Sequence, residues 1–392
     1  MDLPPPALPV PRRDVWVDNL RLLIIGLVVN MHACVTYSHV GSWYLMESPE
    51  PPLGVKLWFA LWQLHLQSFF MGLLFFLAGF FSWRSLEKRG PVAFVRERTV
   101  RLGIPAALFM LLLHPLVVMV LLGREGGTSA NSLAVRYAGY VSTGRVLSGS
   151  GPLWFALALL LFSAVLALWW SVRRREGRTD SQCRTKSPPG LSGVVGLILV
   201  LVITTFGVRV WFPIGTSHLN FQLCFFPQYI LAFALGVAAQ RGGWLASLLR
   251  SPWSVRAGWL GVIGGPIGLV TVVWLGGTPS EHGHNLYEGG WNGQALGLVC
   301  WEQFTGVFLS LGLMALFSRF CGASGRVVSW FSDRAFAVYV VHTPILVALT
   351  PLLRGLGPDP AWRALVLTAL GLSASFAAAD LVRRVPGLGS VL

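Results

Sequence analysis

His32 follows Arg21 by eleven positions in Asp18-Asn19-Leu20-Arg21-Leu22-Leu23-Ile24-Ile25-Gly26-Leu27-Val28-Val29-Asn30-Met31-His32. An α-helix turns about 100° per residue, so eleven steps leave the two side chains about 20° apart and roughly 16 Å apart along the axis. Asp18, Thr36 and His39 fall within about 40° of His32 by the same count. An imidazole can take up and return a proton near neutral pH, and a guanidinium grips phosphate. A polar stripe on an otherwise apolar helix faces a protein interior or a wet cavity rather than lipid. Glu302 also stands inside an apolar run, where a carboxylate costs several kcal/mol unless it is paired or wet. His65, His114, Gln63, Gln67, Gln228 and Tyr229 lie in further apolar runs. Taken alone, His65 or His114 reads equally well as a hydrogen-bonded packing residue, and Gln63 with Gln67 as a bond between packed helices. Arg98 and Arg101 form an RxxR in Arg96-Glu97-Arg98-Thr99-Val100-Arg101, with spacing that suits a phosphate-rich ligand. Ordinary basic flanking of a membrane helix gives the same pattern.

The elements that hold these residues must be membrane helices. The chain has 392 residues, 54% hydrophobic and 12% charged, with mean hydropathy +0.64. A soluble protein of this length carries about twice that share of charge. Ten apolar windows are long enough to span: Leu20–Val40, Leu57–Ser82, Gly103–Leu122, Leu153–Trp170, Leu191–Trp211, Phe221–Ala239, Trp259–Leu275, Ala295–Phe317, Ala335–Leu353 and Trp362–Leu381. The predicted fold class is therefore all-α and polytopic. Residues 1–15 read as a disordered cytoplasmic tail, 16–385 as the transmembrane domain, and 386–392 as a short tail.

The net charge of +14 does not point to nucleic acid, because the basic residues sit between the apolar runs in alternation. Arg84 to Arg101, Arg173 to Lys186, Arg241 to Arg256, Arg319 to Arg334 and Arg383–Arg384, with Arg12, Arg13 and Arg21, put 23 of the 30 basic residues on one side. That side is the cytoplasm by the positive-inside rule, so both termini are expected there. At about 1.5 Å per residue, His32, His65, His114 and Glu302 come out near one level of a ~30 Å core. The loop from Gly276 to Gln294 carries Glu281, His282, His284 and Glu288 and reads as solvated, so no metal site is assigned. Five cysteines show no CxxC spacing, and Cys34, Cys224 and Cys300 read as small packing residues.

In these residues the chain resembles the acyltransferase-3 family of bacterial integral-membrane acyltransferases, which includes O-antigen and Nod-factor acetylases and the succinyltransferase of periplasmic glucans. Arg21 and His32 match the family's Arg-x10-His, with Asp18 in the usual acidic place upstream. Arg98 and Arg101 match its RxxR. Further likeness lies in Phe75 to Phe81, in Gly151-Pro152-Leu153-Trp154-Phe155, in Phe226-Pro227-Gln228-Tyr229, around Glu302, and in Ala337-Val338-Tyr339-Val340-Val341-His342. The resemblance implies transfer of an acyl group, acetyl or else succinyl, from acyl-CoA to a hydroxyl of a glycan, lipid-linked sugar or small metabolite. It makes His32 the general base, in direct attack or through an acyl relay, with Glu302 and Asp18 as catalytic partners and Arg21, Arg98 and Arg101 holding the CoA. His65, Gln228, Tyr229 and Trp154 are the candidate substrate-binding residues. The expected partners are acyl-CoA (acetyl-CoA first), a hydroxyl-bearing acceptor and the lipid bilayer of the inner membrane. A proton-coupled exporter using the same histidines and glutamate is the competing reading, and a non-catalytic subunit that kept the fold is a third.

Overall fold

The computed structural model describes residues 15–123, 132–175, 187–277, 285–323, 325–357 and 359–391. Arg12, Arg13, Arg178, Arg184, Lys186, Glu281, His282 and His284 lie outside the described residues. Among the described residues, ten helices are long and apolar enough to cross a membrane. Spans one to five are Val15–Ser38, Leu53–Arg89, Pro91–Leu121, Gly151–Arg174 and Leu191–Trp211. Spans six to ten are Leu223–Gly242, Pro252–Gly276, Gly293–Phe320, Arg326–Leu353 and Pro360–Arg383. The chain is thus an all-helical polytopic protein, as its ten apolar runs predict.

Local chemistry sets the ends of the spans. Asn292 caps span eight by accepting from the Ala295 N–H at 2.9 Å, and Asp359 caps span ten by accepting from Trp362 at 2.7 Å. Gly90 adopts φ 77° between spans two and three, a conformation that costs glycine little, and Pro91 then opens span three. Span three carries π-helical turns at Thr99–Gly103, Phe109–Leu113 and Leu116–Leu121. They interleave with Pro105 and Pro115, each of which removes an N–H and crowds the carbonyl four residues back.

Close packing comes from small residues at the helix crossings. A Cβ on Gly79 of span two would lie 2.1 Å from the Phe233 carbonyl oxygen of span six, and one on Gly236 would lie 2.0 Å from that of Phe76. Spans seven and eight touch at Gly258 and Gly312 in the same way. Helices in lipid gain little from hydrophobic exclusion and associate by such close van der Waals contact. Span one is buried along Val17, Leu20, Ile24, Val28, Val29 and Ala33, and carries Arg21 and His32 on one continuous helix.

Candidate active site

The polar residues expected at one level separate into two centres, with an arginine-rich end beyond them. The first centre is built around His32. Its imidazole is half-buried, and neither ring nitrogen has a hydrogen-bond partner among the described residues. The Trp43 indole stacks on it, with ring centroids 3.7 Å apart and an interplanar angle of 13°. His342 of span nine lies beside both, 5.4 Å from His32 at 15° and 6.3 Å from Trp43 at 10°. His342 is fully buried, and its Nδ1 is 2.8 Å from the Tyr339 carbonyl oxygen. A carbonyl only accepts, so Nδ1 carries the proton and Nε2 keeps a lone pair. That Nε2 is buried and unpartnered.

Trp43 comes from the connection between spans one and two. His39 and Gly41, both at positive φ, turn the chain out of span one. The Glu47 N–H then donates to the Thr36 carbonyl at 2.8 Å, folding the segment back over the helix end. Arg354, just after span nine, donates to both Glu47 carboxylate oxygens at distances between 2.8 and 3.2 Å. Glu47 holds the Arg354 guanidinium above its ordinary pKa by hydrogen bonds and by charge. The neighbouring Tyr44 meets Trp43 edge-on and shares a 2.8 Å hydrogen bond with Nδ1 of His114, so a third histidine joins this rim.

Glu302 belongs to the second centre. Its Oε2 lies 2.8 Å from Nη2 of Arg209 on span five, and no contact joins it to His32 among the described residues. Arg209 is 0% exposed and Glu302 is 4% exposed. The approach misses the N–H direction, so the pair is a charge contact without an aligned hydrogen bond. Arg209 Nε, Nη1 and Nη2 and Glu302 Oε1 all lack a hydrogen-bond partner. The Arg209 guanidinium also lies over the Phe225 ring, 5.3 Å from its centroid.

The candidate substrate residues gather on this side. Gln67 donates to the Tyr229 hydroxyl at 3.2 Å, and Gln228 donates to the Ser68 carbonyl at 2.6 Å. Trp154 stacks on Tyr229 with centroids 5.5 Å apart. His65 donates from Nδ1 to the Leu61 carbonyl at 2.6 Å and meets the edge of Trp301. Rings link the two centres: His342 to Tyr339, Tyr339 to Phe155, Phe155 to Phe75, and Phe75 to Tyr229.

The arginine-rich end holds the donor candidates. Arg21 pairs with Asp18 at 3.7 Å and covers the Phe81 ring at 4.9 Å. Asp18 lies about 21 Å of helix from His32 and so does not reach the imidazole. Arg98 donates to Ser82 at 3.2 Å and lies within electrostatic reach of Arg21, Arg101 and Arg89. Arg101 is exposed and meets Glu97 at 3.6 Å. A π-helical turn begins at Thr99, between Arg98 and Arg101, and widens the helix there. An open cleft of about 720 Å³ lies alongside, lined by Arg89, Arg96, Arg101 and Glu97 among others. Among the described residues, no three His, Cys, Asp or Glu side chains converge on a common point.

Residues 14–380 match the family profile described as an acyltransferase domain, that of acyltransferase-3. The chain belongs to this family. It is also 24% identical over 306 residues to glucans biosynthesis protein C of Escherichia coli O81 (strain ED1a), covering 71% of this chain and 77% of that protein. No solved structure matches. Membership in the acyltransferase-3 family decides for a membrane acyltransferase over an exporter. Sequence reasoning missed Arg209 and Trp43 and assigned no role to His342. An unpaired Glu302 deep in a span was itself a signal to look for a buried cation.

Proposed function

We propose that this protein transfers an acyl group, acetyl first and succinyl as the alternative, from cytoplasmic acyl-CoA to a hydroxyl acceptor. The enzyme sits in the inner membrane with both termini in the cytoplasm, a reading supported by the lopsided distribution of its basic residues. One observation carries the reading. His32, half-buried with both ring nitrogens free, shares a helix face with Arg21 about 16 Å away, and that arginine lies among further arginines.

A hydroxyl is a weak nucleophile at neutral pH, so its proton must leave as the bond to the thioester carbon forms. His32 takes that proton and delivers it to the departing CoA sulfur, so the imidazole ends the cycle neutral. Arg21, Arg98 and Arg101 hold the phosphates, and the pantetheine arm runs along span one towards His32. The acceptor is a glycan, a lipid-linked sugar or a small hydroxylated metabolite. It approaches from the opposite side, past Trp154, Tyr229, Gln228 and His65. Glu302 serves that side by balancing Arg209, and Asp18 serves the donor side by steadying Arg21.

The test uses purified protein in lipid nanodiscs with labelled acetyl-CoA or succinyl-CoA. His32→Ala should lower CoA release by about 10²–10⁴-fold, the usual contribution of a positioned general base. Arg21→Ala should raise KM for acyl-CoA and leave KM for acyl-pantetheine, which lacks the nucleotide phosphates, unchanged. Undiminished turnover in His32→Ala would sink the proposal.

A further inference from the structure

We propose that His342 and Trp43 are the positioning residues of His32, holding its ring and stabilising the proton it takes without help from a carboxylate. The inference rests on the reading of His32 as the base.

A histidine base is commonly steadied by a carboxylate that fixes its tautomer and balances its charge. The sequence offers Glu302 for that part, but Arg209 holds Glu302 elsewhere. What touches the His32 ring is an indole face at 3.7 Å and a second imidazole at 5.4 Å, both nearly parallel to it. Each suits a proton that arrives and leaves within one turnover. The face of an indole attracts a cation through its quadrupole. His342 adds a lone pair, because its own N–H is committed to the Tyr339 carbonyl. Its Nε2 is a buried polar atom that no packing role explains, since an unpartnered nitrogen there costs stability.

The proton follows a closed path. It passes from the acceptor oxygen to His32 as the new C–O bond forms, and from His32 to sulfur as the C–S bond breaks. His342 neither gains nor loses a proton. It lowers the energy of the charged His32 between those two events. A neutral support leaves the imidazolium acidic enough to protonate the thiolate, whereas a carboxylate would hold the proton more tightly.

The experiment measures CoA release by the full chain in nanodiscs, with acetyl-CoA and succinyl-CoA as donors and methyl β-D-glucopyranoside or water as acceptor. His342→Phe keeps a flat ring of similar size without nitrogens. His342→Asn keeps a donor for the Tyr339 carbonyl without Nε2. Both should lose about a hundredfold in kcat, with KM for the donor within about twofold of wild type. Trp43→Leu should lose more than Trp43→Phe, which retains an aromatic face. Nitrogen NMR of histidine-labelled protein reads the tautomer independently of turnover, and should find His342 protonated at Nδ1. Wild-type kcat in His342→Phe, with His32→Ala inactive, overturns this inference alone. Activity surviving in His32→Ala overturns the base assignment and this inference with it. An equal loss in KM and kcat across the His342 variants assigns His342 to packing and also overturns it.

Discussion

Removing the charges of the Arg209–Glu302 pair singly and together should give sharply unequal losses of stability. The two groups are 2.8 Å apart at Nη2 and Oε2, and Arg209 is 0% exposed. With charge centres about 4 Å apart, their attraction is of order 4 kcal/mol at an effective dielectric constant of about 20. Glu302→Leu removes the anion and leaves a guanidinium that cannot shed its proton, so it should cost about 3–5 kcal/mol. Arg209→Met leaves a carboxylate that can neutralise itself by protonation, so its cost should be smaller, roughly 2–3 kcal/mol. The double variant removes both desolvated charges and should fall within about 1 kcal/mol of wild type. Reversible unfolding in mixed micelles measures all four proteins in one double-mutant cycle. Additive losses would mean that the two groups do not stabilise one another, and a harmless Glu302→Leu would mean that Arg209 is not held by that carboxylate.

Gly79→Ala and Gly236→Ala each push a methyl group to within about 2 Å of a carbonyl oxygen across spans two and six, and should each destabilise by about 1–3 kcal/mol in the same unfolding assay. Arg354→Ala should release the segment around Glu47, seen as faster hydrogen exchange at the Glu47 amide and a lower kcat as Trp43 loses its seat on His32. Lys56 holds the carboxyl of exposed Glu50 below its usual pKa by a hydrogen bond and then by charge. That contribution is present above the unfolded pKa and fades as pH falls through the folded one, so Lys56→Met should move the Glu50 titration upward in a carbon NMR experiment.

Regular helices are legible in this chain because a membrane helix is written locally. Span five runs Leu191–Trp211 in the structure and in the apolar pattern alike. The apolar pattern ends span two at Ser82 because hydropathy marks where lipid ends, whereas backbone hydrogen bonding continues to Arg89. The ten-residue helix Leu133–Ser142 carries no such mark, being too short for a span. The π-helical turn that begins between Arg98 and Arg101 also carries no mark in the apolar pattern. The partners of His32 are hidden for a different reason. The segment that carries Trp43 to the imidazole is fastened in part by the Glu47–Arg354 pair, a contact between residues 307 positions apart. No local pattern encodes such a closure. Depth alone suggests that Glu302 and His32 belong together, but equal depth fixes one coordinate of three, and rotation about the helix axes sets the rest.

That separation bears on how donor and acceptor are matched. Arg21 and His32 lie on one continuous α-helix, Val15–Ser38, whose buried face is packed along its length, so their axial separation of roughly 16 Å is set by helix geometry. Arg98 and Arg101 lie on a span whose α-helix is interrupted by π-helical turns and prolines. In the proposed transfer, span one would set the distance from the phosphate anchor to the base. The centre around Glu302 has the opposite character: a charge pair sealed at 0% and 4% exposure and aromatic rings stacked between the two centres. In the proposed reaction, water entering there would compete with the acceptor hydroxyl for the thioester. Under the proposed transfer, a dry aromatic wall towards the acceptor and a cationic mouth towards the donor would be complementary demands of one reaction at His32.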